Sequence, residues 1–275
     1  MGLHLSVLAS SSAANAIFVA SDTTAVLVDA GLSLKQIEQR LAAIDARPDH
    51  LAGICLSHEH SDHILGVPPL QRRYGLPVYA NAGTLEGARR VWKDRGALCR
   101  VFSTGQPFRI GDLRIEPFAV PHDAYDPVGF VIECDGVRVG IATDMGIPTT
   151  LARERLRGCA AVVIEANHDE RMLHQSARPW ALKQRILGRQ GHLSNRHAAE
   201  MIAEIAGPAM RRVVLAHISA ECNTPELAVG EVRGRLQERG WTHIEVIPAE
   251  QATGLRWTLA METMGAKAHG GDPSI

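Results

Sequence analysis

The first thirty residues alternate between short apolar runs and polar residues that favour turns. Apolar runs at 3–10, 16–20 and 24–30 are separated by Ser, Asn, Asp and Thr, a pattern typical of short strands joined by tight turns. The apolar period then lengthens, because the hydrophobic side chains of 33–44 share one helical face and Ser33 can cap the helix. This part of the chain is therefore predicted to form strands followed by a helix.

The rest of the chain continues to alternate between strands and helices. Further strands are predicted at 51–57, 77–80, 99–103, 107–120, 128–134, 137–142, 160–167, 211–218, 243–249 and near 254–258. Helices are predicted after the strand at 51–57 as far as Tyr74, at 83–94, 149–157, 178–188 and 194–206, and from Thr224. Because the order of strands, helix and strands occurs twice, we predict an α/β protein with two sheets packed face to face and helices outside, an αββα sandwich.

The predicted core occupies most of the chain. A length of 275 residues suits one large domain or two small ones, and 45% hydrophobic residues indicate a globular rather than a disordered chain. Apolar periodicity ends after the last predicted strand. We therefore expect one domain over 1–258 and a disordered tail over 259–275.

Charge and cysteine usage narrow the classes of partner and compartment. The net charge of −1 gives no overall attraction to nucleic acid or membrane, so a polyanion site would need a local patch. The five cysteines are scattered and form no CxxC pair, which favours a reducing compartment. The first residues carry no Lys or Arg, and no apolar run could span a bilayer. A cytoplasmic protein without membrane attachment is expected.

The segment HEHSDH at 58–63 concentrates metal-ligating residues at the end of a buried strand. His58 and His60 are separated by one residue, so in extended backbone they face the same side. Asp62 and His63 follow as the chain turns and can reach a second point nearby. Imidazole and carboxylate groups suit Zn, Mn or Fe. A surface histidine cluster is the simpler alternative, but it does not explain the seven-residue apolar strand that precedes the segment.

Three later residues also lie at the end of a predicted strand, as the HEHSDH segment does. His122, Asp144 and His217 each stand at the end of an apolar strand, where the edges of active sites gather. Each alone would more often be a turn residue or a hydrogen-bonded side chain. Together, and in this order, they match a known pattern.

In these residues the sequence resembles the metallo-β-lactamase superfamily. HEHSDH corresponds to its HxHxDH motif, and the resemblance extends from the first strand to about residue 258. It implies a four-layer αββα metallo-β-lactamase sandwich with two divalent metal ions, Zn or Mn, and with Asp144 as the bridging ligand. One metal would be held by His58, His60 and His122. The other would be held by Asp62, His63 and His217.

A narrower resemblance is to the YycJ/WalJ group, which is described as acting on DNA from the 5′ end. It is carried by SSSAANA at 10–16, DPVGF at 126–130, EANHD at 165–169 and the stretches at 179–195 and 215–228. GHLSN, at the end of the first stretch, also resembles a segment that ribonuclease Z carries before its last metal ligand. One departure is that the group often has GSSGNA where this chain has SSSAANA.

Several residues are predicted to act beside the metals. Asp62 could also orient the attacking water as the base, and His192 is the candidate proton donor to the leaving alkoxide, although a loop-stabilising histidine is the alternative. Ser194 and Asn195 could donate to phosphate beside a helix N-terminus.

A second set of residues is expected to line the cleft. Asn15, Asn167 and His168 are the candidates, although turn chemistry explains such residues equally well.

The stretch 171–197 contains no Asp or Glu and surrounds His192. Its basic side chains are Arg171, Arg178, Lys183, Arg185, Arg189 and Arg196, together with three histidines. Such a bias favours a phosphate polymer as substrate, with binding that weakens as salt rises. A solvated basic helix face is the alternative. Trp180 could stack on a base, but packing beneath the helix is the commoner role for such a residue.

Three functions fit these patterns. The first is a phosphodiesterase acting as a DNA exonuclease, 5′ to 3′, with a role in repair. The second is a small-molecule hydrolase for a cyclic phosphodiester, a thioester or a lactone. The third is an inactive metal-binding or nucleic-acid-binding protein, which the full ligand set disfavours. The choice between Zn and Mn, the choice between DNA and RNA, and the oligomeric state stay open.

Overall fold

The first sheet is built from the N-terminal strands in their chain order. A computed structural model describes residues 2–92 and 98–249. Within them the first sheet contains β1 (His4–Ser11), β2 (Ala14–Ala20), β3 (Ala25–Val28), β4 (Leu51–Cys55), β5 (Val78–Ala80) and β6 (Cys99–Val101). Strands β1 to β3 pair antiparallel, and β3 to β6 pair parallel.

The second sheet takes up the remaining strands in the described part of the chain. These are β7 (Phe108–Ile110), β8 (Leu113–Ala119), β9 (Val128–Cys134), β10 (Val137–Ala142), β11 (Ala161–Glu165), β12 (Arg212–Ala216) and β13 (Glu245–Pro248). Strands β7 to β10 pair antiparallel, and β10 to β13 pair parallel. The single strand predicted at 107–120 is two strands, because the chain turns at Gly111, whose φ is 56°.

The helices follow the predicted positions with two differences. They are α1 (Leu34–Ala42), α2 (Ser61–Ile64), α3 (Val67–Tyr74), α4 (Ala82–Trp92), α5 (Thr150–Leu156), α6 (Glu170–Gln175), α7 (Trp180–Leu187), α8 (Asn195–Ile205) and α9 (Pro225–Glu238). The helix predicted up to Tyr74 is divided into α2 and α3, because Gly66 precedes a new first turn that contains proline. Helix α6 was not predicted, and its N-cap is Asp169.

The core lies in three layers, which confirms the predicted αββα sandwich. Between the sheets, side chains such as Val26 of β3 pack with Phe130 of β9. The outer face of the first sheet is covered by α1 to α4, with Ile37 among the buried residues. The outer face of the second sheet is covered by α5, α8 and α9, through residues such as Ile202 and Val232.

Parallel strands position the site, because their carboxyl ends meet at one edge. The segment at 58–63 follows β4, and Asp144 and His217 follow β10 and β12. The strand predicted near 254–258 and the tail predicted at 259–275 lie outside the described residues. None of the helices in the described ranges combines the length and apolar character that crossing a membrane requires.

Candidate metal centre and active site

The HEHSDH segment brings its four ligand-type residues together in two pairs. His58 and His60 lie side by side after β4, with ring centroids 4.6 Å apart. His60 is the N-cap of α2, so Asp62 and His63 fall in the first helical turn. The His63 ring lies 4.1 Å from that of His58, centroid to centroid. The predicted turn from strand to helix is confirmed.

The segment after β3 contacts the backbone of α2. The Ala30 N–H donates to the carbonyl of His63 at 2.7 Å, and the Gly31 N–H donates to the Asn15 carbonyl at 2.8 Å. A Cβ at Gly31 would lie 1.6 Å from the carbonyl oxygen of Asp62, so only glycine fits this approach. The backbone of Asp62 and His63 is therefore held against the segment that follows β3.

The first donor group consists of three histidines. His58, His60 and His122 each offer a ring nitrogen, and these atoms lie within 4.8 Å of one another. Burial lowers the pKa of His58 well below its ordinary value, and it also lowers the pKa of His122. Neutral imidazole is the form that binds a metal ion, so the lowered pKa values favour metal binding by this group.

The second donor group is a chain of close contacts that passes through Asp144. Asp62 Oδ2 lies 3.3 Å from His63 Nε2, which lies 3.3 Å from Asp144 Oδ2. Asp144 Oδ1 lies 3.1 Å from His217 Nδ1. Asp144 and His217 both have a φ of 54°, a conformation that non-glycine residues rarely adopt and that occurs preferentially at functional sites. Asp144 also groups with His58 and His63 and so lies between the two donor groups.

Unpaired polar atoms at this centre fit bound cations. His58 Nε2 and His217 Nε2 are buried and have no hydrogen-bond partner among the described residues. Buried polar atoms are nearly always paired, and buried carboxylates need a partner charge. Burial lowers the pKa of His217, but the Asp144 and Glu165 carboxylates outweigh it and raise this pKa to about 10. The buried carboxylates therefore need positive charge nearby. Divalent ions would supply it and would displace the protons of the histidines.

Two buried carboxylates that were not predicted from the sequence orient the histidines. Asp29 Oδ2 accepts from His63 Nδ1 at 2.8 Å and from the Ser57 hydroxyl at 2.7 Å. Glu165, which is 0% exposed, lies 2.8 Å from His217 Nδ1 through Oε1. Each carboxylate stands at the end of an apolar strand, as Asp144 does, and the same criterion would have found both. A carboxylate on the second ring nitrogen fixes the tautomer and orientation of a ligating histidine.

His192 belongs with Asp144, Glu165 and His217 to a group whose donor atoms lie within 4.8 Å of one another, and it contacts the same glutamate. Its Nδ1 is 2.7 Å from Glu165 Oε1, and its ring centroid is 5.2 Å from that of His122 and 5.1 Å from that of His217. Burial lowers the pKa of His192, but the charge and hydrogen bond of Glu165 more than offset this, so its pKa is raised. The protonated ring is favoured, as a proton donor requires.

Asn15 is adjacent to the second donor group. Its Nδ2 donates to Asp62 Oδ2 at 3.0 Å and lies 2.9 Å from His63 Nε2. Its Oδ1 accepts from the Ser11 N–H at 3.2 Å. The side chain is therefore placed to orient Asp62.

Ser194 and Asn195, which were expected to donate to phosphate, form hydrogen bonds within the protein. The Ser194 hydroxyl caps α8 and donates to Glu170 Oε1 at 3.1 Å. Asn195 exchanges two hydrogen bonds of 2.8 Å with Asn223. Both side chains are buried, so their donors serve the protein interior.

Asn167 and His168 are also buried, and neither is shown to line the cleft. Asn167 Nδ2 donates to the His217 carbonyl at 2.9 Å and so holds the backbone of a ligand residue. Burial lowers the pKa of His168 to about 4, and neither ring nitrogen has a partner among the described residues. The geometry supports a structural role for Asn167 rather than contact with substrate.

The acid-free stretch is partly neutralised by acids from elsewhere in the chain. The ion pairs are Arg178 with Glu221 at 2.9 Å, Arg185 with Asp123 at 2.5 Å and Arg196 with Glu170 at 3.1 Å. Lys183 is buried, and its Nζ donates to the carbonyls of His174 and Ser176, each at 2.7 Å. The positive field expected from this stretch is therefore smaller than its sequence implies.

Lys183→Met is expected to destabilise the protein without weakening binding of an anionic substrate. The variant leaves two carbonyl acceptors without their donor, which costs about 1–3 kcal/mol in the free energy of unfolding. Urea unfolding would measure this loss. A normal free energy of unfolding together with weakened binding of DNA would instead place Lys183 in the binding surface.

A cavity of about 640 Å³ opens beside His122. It is lined by Pro121, Asp123, Arg185, Gly188, Arg189, Gln190 and Gly191. The Gly191 carbonyl lies 3.1 Å from His122 Nδ1, so the cavity wall touches the first donor group. Arg189 is exposed and forms no ion pair with another described residue.

Comparison with known proteins agrees with this geometry. The model of the beta-lactamase superfamily domain matches residues 24–218. The chain is 37% identical to the exodeoxyribonuclease YycJ of Bacillus anthracis, over 88% of this chain and 92% of that protein. It is 38% identical to the exodeoxyribonuclease WalJ of Streptococcus pneumoniae serotype 2, over 83% and 86%.

A solved structure supports the fold independently. The metallo-β-lactamase fold protein YhfI from Bacillus subtilis superposes with a TM-score of 0.71 at 17% identity, covering 94% of this chain and all of that one. The fold, the donor residues and the matched domain all indicate the same family. The chain belongs to the metallo-β-lactamase superfamily, in the group that contains YycJ and WalJ, and is a metal-dependent hydrolase.

Proposed function

We propose that the protein is a binuclear metal-dependent phosphodiesterase that degrades DNA from the 5′ end, with a role in DNA repair in the cytoplasm. The observation that carries the proposal is the convergence of two groups of metal donors, with His192 among the donors around Asp144. The DNA substrate and the polarity rest on the likeness to YycJ and WalJ, both named exodeoxyribonucleases. The free cysteines of the described residues agree with a reducing compartment.

Following the family resemblance, we assign seven residues to the two ions. His58, His60 and His122 would hold one ion, and Asp62, His63 and His217 would hold the other. Asp144 would contact both. When bound, Zn or Mn ions would polarise the phosphate and lower the pKa of the attacking water.

Asp62 is placed to direct that water. Its carboxylate is partly exposed, and the Asn15 amide holds one of its oxygens. Burial raises the pKa of Asp62, but the hydrogen bond from His63 outweighs it, so this pKa is lowered. The ionised carboxylate can accept a hydrogen bond from water and orient its lone pair toward phosphorus.

His192 completes the reaction at the leaving group. Glu165 occupies its Nδ1, which leaves Nε2 as the atom that can transfer a proton. Donation from Nε2 would neutralise the leaving alkoxide as the ester bond breaks.

The cavity beside His122 is the proposed path of the substrate phosphates. Arg189→Gln is expected to weaken DNA binding and to reduce the slope of log K against log salt by about 1. Salt titrations monitored by fluorescence anisotropy would measure both. Arg72→Gln, on the exposed face of α3, is the matched control and should change neither quantity. Equal effects of the two changes would show that the cavity is not the phosphate path.

End-labelled substrates test the function directly. Metal-replete protein is incubated with single- and double-stranded DNA and RNA labelled at the 5′ or the 3′ end, beside an Asp62→Ala variant. We expect a 5′ label to be released first as a short product from DNA, and the variant to release none. Cleavage of a small ester with no cleavage of any polymer would overturn the nuclease proposal.

A further inference from the structure

An exposed aromatic ring stands on the loop that carries His122. Tyr125 is 51% exposed and lies three positions after this histidine, in a chain with only 4% aromatic residues. Tyr125 and Trp180 are the exposed large aromatic side chains of the described residues. Large aromatic side chains are usually buried in part or in full, so a ring left open next to a donor group calls for a functional reason.

The backbone on both sides of the ring is held firmly. The Tyr125 N–H donates to Glu59 Oε1 at 2.9 Å, and Glu59 is the buried residue between His58 and His60. The next carbonyl, that of Asp126, accepts from Asn81 Nδ2 at 2.7 Å. The backbone that carries the ring is therefore held next to the HEHSDH segment.

A cation lies over the same ring. The guanidinium carbon of Arg90, in α4, is 5.2 Å from the Tyr125 ring centroid. Helix α4 can come this close because Gly83 faces the loop, where a Cβ would lie 2.8 Å from the Cβ of Asp126. Arg90 also pairs with Glu86 of the same helix at 3.2 Å, so its role here is to hold the ring, which can stack on a base.

We propose that Tyr125 is a stacking platform for a nucleobase of the substrate strand and that the Arg90 guanidinium supports the ring. The proposal rests on the nuclease function above and adds a determinant of specificity. Stacking needs a base whose face is open, so the platform selects an unpaired strand or a frayed end over an intact duplex. Because the Tyr125 backbone is held by Glu59, the ring would limit the distance between the selected base and the phosphate that is cleaved.

The test combines two variants with two substrates. Tyr125→Ala is expected to raise KM for single-stranded DNA about tenfold with little change in kcat, whereas Tyr125→Phe, which keeps the ring, should resemble the wild type. Metal content is measured in each variant and should be unchanged. Single-stranded DNA with one abasic nucleotide, placed in turn at each of the three terminal positions, then identifies the stacked base.

The outcomes separate this proposal from the proposed function. At one abasic position the wild type should lose about tenfold in kcat/KM, and Tyr125→Ala should show no further loss there. If the wild type cuts DNA but Tyr125→Ala has the same KM, or if the abasic penalty persists in that variant, the platform is overturned and the nuclease stands. If the wild type cuts no DNA, the nuclease proposal and the platform both fail.

Discussion

Asp144→Asn is expected to remove bound metal and nearly all activity. The Asp144 carboxylate contacts His63 and His217 and groups with His58, so it joins the two donor groups. An amide offers one neutral oxygen and cannot replace a charged ligand between two cations. Metal ions supply several kcal/mol of transition-state stabilisation, so the fall in kcat/KM should be about a thousandfold or more.

The variant is chosen to keep the fold. Asn tolerates the left-handed backbone at this position, where φ is 54°. Metal content by inductively coupled plasma mass spectrometry and activity over a range of added Mn would be compared with Asp112→Asn, the same chemical change at the turn between β7 and β8. The control should keep both metal and activity. An Asp144→Asn protein that retains both would rule out the bridging role.

His192→Gln is expected to lower kcat by about 10²–10⁴-fold on DNA and far less on a p-nitrophenyl ester. An alkoxide leaving group needs a proton, whereas p-nitrophenolate leaves without one. The ratio of the two losses therefore isolates proton donation from general damage to the site. Equal losses on both substrates would contradict the assignment of His192 as the proton donor.

The pH profile of the Glu165→Gln variant gives a second readout of the same pair. His192 donates only while protonated, so kcat should fall as pH rises through its raised pKa. The Glu165 charge raises that pKa, so its removal should move this alkaline limb to lower pH. Because Glu165 also contacts His217, metal content must be measured alongside. An unmoved limb in a metal-replete variant would show that another group controls the profile.

Local sequence patterns predicted the parts of the fold that depend on neighbouring residues. Helix α1 begins after Ser33, which forms the capping box with Gln36, and its buried Ile37 and Leu41 are two of the apolar residues that predicted it. The HEHSDH turn was predictable because strand alternation and the following helix determine where its side chains lie.

Long-range pairs could not be predicted in the same way. Glu165 contacts His192 and His217, which are 27 and 52 positions away, so its role appears only when β11 and β12 are paired. Arg185 looked free within its stretch, but Asp123, which pairs with it, comes from the loop beside His122. The net charge of a sequence segment predicts its electrostatic field only when its ion-pair partners from other helices, strands and loops are known.

The side chains of Ser194 and Asn195 show why donor type alone does not define a phosphate site. Ser194 and Asn195 have the side chains that bind phosphate at helix N-termini, and the same side chains also cap helices and close buried networks. In this protein the Ser194 hydroxyl donates to Glu170, and the Asn195 amide donates to Asn223. Tyr125 is the opposite case, because it is exposed. No local sequence pattern distinguishes an exposed tyrosine from a buried one.

Anomalous diffraction from crystals grown with Mn or Zn, supported by metal stoichiometry in solution, tests the metal centre most directly. We expect two peaks per chain, one among His58, His60 and His122 and one among Asp62, His63 and His217, with Asp144 in contact with both. Purified protein without stoichiometric metal, or peaks away from these side chains, would contradict it.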